Sequence, residues 1–60
     1  MIKENTKIRT LIKKGKYPIG SIGVVVSLYS SGPACEVEIW DKDGYPVDVI
    51  TYLLNEVEEY

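Results

Sequence analysis

The sequence predicts an all-β protein: one small domain over residues 1–60, with five short antiparallel strands curled into a barrel. Three observations carry this. The stretch "CEVEIW" (35–40) alternates apolar and polar residues with period two, the repeat of a half-buried strand. The stretch "VVVSLY" (24–29) is apolar and rich in β-branched residues, as in a strand covered on both faces. Turn formers, "SSGPA" (30–34) and "DKDG" (41–44), separate these runs at hairpin spacing.

Each element follows in order. "KIRTLI" (7–12) reads as the first strand, with Ile8 and Ile12 inward and Arg9 and Leu11 on the other side. "KKGKYPIGSIG" (13–23) holds three glycines and a proline, so it reads as a long loop ending in a tight turn. The two strands named above come next, joined by a hairpin. In the second of them Cys35, Val37 and Ile39 face the core, and Glu36, Glu38 and Trp40 face out. "YPVDVITY" (45–52) is the fourth strand, with Val47, Val49 and Thr51 on one side and Pro46 near its start, where an edge tolerates it. "LLN" (53–55) makes a single helical turn, and "EVEEY" (56–60) closes the chain as a short strand. The expected core is Val24, Val26, Val37, Ile39, Val47 and Val49, with Cys35 as a small core residue.

Inventory narrows the function classes. A chain of this length buries only about 60% of its unfolded surface, which leaves little room for a shaped catalytic cleft. No histidine is present to activate Cys35 as a nucleophile or to complete a zinc set, so a non-enzymatic protein without metal or cofactor is expected. "DKDG" begins like a calcium loop, but Tyr52 stands at the twelfth position, where that loop needs a carboxylate, so a plain turn is expected. Gly20-x-x-Gly23 leads into a strand rather than a helix, and reads as a turn rather than a phosphate cradle. Residues 17–35 carry no charge, yet Pro18, Gly20, Gly23, Gly32 and Pro33 interrupt them, so a soluble chain rather than a membrane span is expected. The single cysteine points to a reducing cytoplasm.

Charge is segregated. Residues 1–16 hold six Lys/Arg against Glu4, a net of +5, while residues 36–60 hold eight Asp/Glu against Lys42, a net of −7. Neighbouring first and last strands, as barrels often have, would neutralise part of this; the surplus acid would remain on the surface.

The order of a long first loop, a three-strand meander, a helical turn and a short last strand resembles the Src-homology-3-like barrel. "GSIGVVVSLYSSGPACEVEIWDKDG" (20–44) further resembles the bacterial family known as domain of unknown function 4926. The matching positions are Gly20, Gly23, Val25, Val26, Glu36, Val37, Glu38, Asp41 and Gly44, with Leu53, Leu54 and Glu56 to Glu58 similar to the family's end. The resemblance implies an immunity or antitoxin role, since such chains are often encoded beside toxin-like domains.

Glu36, Glu38 and Trp40 therefore define a candidate partner-binding face, with Tyr45 and Asp48 expected at its border. An exposed tryptophan supplies contact area and the acids steer a basic partner. A nuclease toxin, which must be basic to hold its substrate, is the expected cognate protein. The alternative is a nucleic-acid module similar to the KOW domains of ribosomal proteins, contacting phosphates through "IKKGK" (12–16), Lys3, Lys7 and Arg9. The net charge of −2 and pI near 4.9 oppose that reading.

Overall fold

A computed structural model describes residues 1–60. Five strands form one antiparallel sheet: β1 (Lys7–Thr10), β2 (Ile22–Leu28), β3 (Ala34–Trp40), β4 (Pro46–Leu53) and β5 (Val57–Glu59). A 3-10 turn, Leu54–Glu56, links β4 to β5. The order across the sheet is β4-β3-β2-β1-β5. Together with the single turn before the last strand, this is a small all-β, barrel-like fold in the strand order expected of the Src-homology-3-like arrangement, with β4 and β5 as its two unpaired edges. No helix is long and apolar enough to cross a membrane.

The core is small: Ile8, Val25, Cys35, Val37, Ile39, Tyr52 and Val57, with Ile2, Ile12, Tyr17, Ile50 and Leu54 packed around it. Every inward position of β3 is buried, as its alternation predicts. The Tyr52 hydroxyl is buried without a protein hydrogen-bond partner.

Two strands are out of phase with expectation. Val24 and Val26 are not core residues; Gly23 and Val25 point inward instead. The strand begins at Ile22, and the glycine lies close against β3: a Cβ on Gly23 would sit 2.5 Å from the Glu38 carbonyl oxygen. Only a residue without a side chain fits there, and it sets the phase. A bulge between Val25 and Ser27 then leaves Val26 without an opposite residue on β3. Val47 and Val49 are likewise half exposed, while Ile50 and Tyr52 turn inward. Here the register slips between Ile39 and Trp40, so that Pro46 rather than Val47 faces Trp40.

The loop between β1 and β2 is tied down by Thr10. Its hydroxyl donates to the Pro18 carbonyl at 3.1 Å and accepts the Ser21 N–H at 3.0 Å. Gly20, at φ +90°, makes the tight turn that returns the chain to the sheet. The Gly20-x-x-Gly23 pair thus serves two separate needs, a left-handed turn and a close approach of paired strands.

Candidate functional site

β3 is central in its half of the sheet, between β2 and β4, and its outward residues define the site. Opposite positions across the ladders share a face. Val24, Glu38 and Val49 form one row over β2, β3 and β4, and Ser27, Glu36 and Thr51 form the next. Trp40 lies beyond Glu38, opposite Pro46. Glu36, Glu38 and Trp40 are brought together as expected, half-buried beside one another.

These side chains hold each other in place. The Trp40 indole N–H donates to Glu38 Oε1 at 3.0 Å. Glu36 Oε1 accepts from the Tyr29 hydroxyl at 3.0 Å and from the Thr51 hydroxyl. Beside Glu36 the β2–β3 hairpin encloses an open recess of about 370 Å³ lined by Ser27, Leu28, Tyr29, Ser30 and Ser31. The sequence reading missed the apolar part of this face. Val24 is half-buried, Val26, Val47 and Val49 are 43%, 51% and 51% exposed, and they flank the carboxylates.

The two border residues lie elsewhere. Asp48 pairs with the buried Ile39, so it takes the inward phase at the end of the barrel, where Oδ2 accepts the Tyr17 hydroxyl at 2.9 Å. Burial, followed by the hydrogen bond to Asp48, raises the Tyr17 pKa above the ordinary tyrosine value. Tyr45 is 68% exposed and follows the turn, its carbonyl accepting the Asp41 N–H at 2.8 Å, one residue out of step with Trp40. The turn itself is built on Asp41, whose Oδ1 accepts the N–H groups of Asp43 and Tyr45, with Gly44 at φ +84°.

Glu4 apart, ion pairing sorts the acids into two sets. The three salt bridges engage Glu56, Glu58 and Glu59, through Lys14, Arg9 and the Met1 amine. Lys7 and Arg9 also lie over the Tyr60 ring, and Lys16 over Tyr17. The basic first strand is thus spent largely on β5 beside it. Glu36, Glu38, Asp41, Asp43 and Asp48 take part in no ion pair, and all belong to the β3–β4 half.

Cys35 is fully buried, and burial, then the Glu36 and Glu56 charges, raises its pKa, which disfavours the thiolate. No group of three or more His, Cys, Asp or Glu side chains is gathered where a metal ion would need them. Comparison of the chain with family models, with curated proteins and with solved structures found no match.

Proposed function

We propose that this chain is a non-enzymatic binding protein that covers a basic partner protein with the outer face of β2, β3 and β4. The single observation that carries the reading is the row of unpaired carboxylates, Glu36 and Glu38, set among Trp40 and half-exposed valines. Such a face offers apolar area for contact and negative charge for orientation. The indole ring, held by Glu38, loses little rotamer freedom on binding.

The resemblance to domain of unknown function 4926 narrows the partner to a cognate toxin. A nuclease fits best, since its cleft is built to hold phosphates and carboxylates imitate them. An immunity protein of this kind works in the cytoplasm of the cell that makes the toxin, and a free buried thiol is at home there. The nucleic-acid alternative is disfavoured by where the cations go: Arg9 and Lys14 are paired with acids, and Lys7, Arg9, Lys14 and Lys16 lie over tyrosine rings.

Calorimetric titration of the protein encoded by the neighbouring gene, with wild type and Trp40→Ala, tests the reading. The expected loss of affinity is about 2–4 kcal/mol with the fold intact. Equal affinities would exclude this face as the binding site, and salt-sensitive binding of generic RNA would favour the alternative.

A further inference from the structure

β4 is the long edge of the sheet, eight residues against three in β5. A long apolar edge strand is a template for another strand unless its backbone groups are blocked. In an antiparallel pair every second residue turns its N–H and C=O away from its neighbour. Leu54 donates its N–H to the Pro33 carbonyl at 2.7 Å, which fixes the phase. Ile50 and Tyr52 therefore bond to β3, and Val49, Thr51 and Leu53 point their backbone groups outward.

Three of these outward groups are held from within the chain. Val49 N–H donates to Asp48 Oδ1 at 2.8 Å, Lys14 Nζ donates to the Thr51 carbonyl at 2.5 Å, and Leu53 N–H donates to Glu56 Oε1 at 2.9 Å. The Leu53 carbonyl opens into the 3-10 turn, and within the strand the Val49 carbonyl and the Thr51 N–H are left without a protein partner.

We propose that β4 pairs antiparallel with β4 of a second copy of this chain, about a two-fold axis at Ile50. The two open groups dictate that register. With Ile50 opposite its own copy, each Thr51 N–H meets the Val49 carbonyl of the other chain, so both open groups are satisfied twice. On the outer face the same register sets Val49 against Thr51 and Val47 against Leu53, side chains that are otherwise about half exposed. Asp48, the only charge on the strand, lies opposite Tyr52, over whose ring the Lys14 amine sits 3.7 Å from Glu56.

The guarding side chains fit this arrangement. Val49 N–H faces the Thr51 carbonyl of the other copy. A backbone bond between them releases the Asp48 carboxylate of one chain and the Lys14 amine of the other. The released groups are of opposite charge and lie side by side. Pairing thus exchanges two local caps for a ladder bond and adds the Asp48 carboxylate to the existing Lys14–Glu56 pair.

Sedimentation equilibrium from micromolar to millimolar concentration tests the proposal. Wild type is expected to approach twice the 6.8 kDa chain mass. Thr51→Pro removes the open N–H on the outward side, where the β3–β4 ladder does not use it, and is expected to raise the dimer Kd roughly tenfold or more. Should that variant fold poorly by circular dichroism, charge reversal gives a second reading. Lys14→Glu alone weakens the dimer, and Lys14→Glu combined with Asp48→Lys restores it. Trp40→Ala leaves the equilibrium unchanged, so this proposal stands or falls apart from the binding face. A chain that stays monomeric throughout, or a dimer indifferent to both Thr51→Pro and the charge reversal, overturns it.

Discussion

Trp40 and Glu38, two residues apart on one face of β3, are joined by an indole N–H to carboxylate hydrogen bond of 3.0 Å. The carboxylate therefore both orients the ring and supplies charge, and the two roles separate by mutation. Glu38→Gln keeps an acceptor for the indole and removes the charge. It is expected to slow association with a basic partner and to leave dissociation nearly unchanged, the difference from wild type shrinking at high salt. Stopped-flow association at two ionic strengths measures this; a salt-independent difference would show that the charge does not steer.

The phase of the strands is open to a paired stability test. Val37 is fully buried and Val49 half exposed on the outer face. Val37→Ala is expected to cost about 2–3 kcal/mol in urea unfolding, a large share of what so small a domain possesses. Val49→Ala is expected to stay within about 0.5 kcal/mol of wild type. Similar losses at the two sites would contradict the observed register.

Gly23→Ala probes the close approach of β2 to β3. The added methyl group would meet the Glu38 carbonyl oxygen at 2.5 Å and a Val37 methyl at 2.8 Å, and backbone on a paired strand yields little. Overpacking of this kind costs about 1–3 kcal/mol, so the melting temperature is expected to fall well below wild type. Gly32→Ala, with open space around it, serves as the control and is expected to melt close to wild type.

Tyr52 carries a buried hydroxyl with no protein partner, and leaving such a group unsatisfied costs about 1–3 kcal/mol. Tyr52→Phe is expected to unfold at higher urea concentration than wild type. A pH series adds a second reading. Burial, with a smaller push from Glu56, raises the Tyr52 pKa above its ordinary 10.0. The folded state thus favours the neutral phenol. That contribution is complete below the ordinary value and is lost as pH rises from there through the folded pKa. Wild type is expected to lose stability in that alkaline window more steeply than Tyr52→Phe; parallel curves would contradict the burial of this hydroxyl.

Much of this was written in local pattern. The alternation of "CEVEIW" placed Cys35, Val37 and Ile39 inside and Glu36, Glu38 and Trp40 outside, because a strand whose two faces differ carries its own phase. "VVVSLY" carries none: consecutive valines satisfy either phase, and the choice fell to Gly23, whose missing side chain matters only where β3 lies close against it. "PVDVITYL" alternates cleanly yet settled in the other phase, because the register slip beside Trp40 turned Ile50 and Tyr52 inward. Asp48 left the candidate face for the same reason.

The sequence by itself determined the strand count, the turns at Gly20 and Gly44, the buried thiol and the segregation of charge. All of these rest on the properties of single residues or near neighbours. Tertiary structure alone decided which acids keep their charge unpaired. β1 lies beside β5, so Arg9 reaches Glu58; Lys14, in the following loop, reaches Glu56, and both are more than forty positions away in the chain. Glu36 and Glu38 are left without a cation among exposed valines. Pairing between strands distant in the chain is a property of the assembled sheet, and no local pattern encodes it.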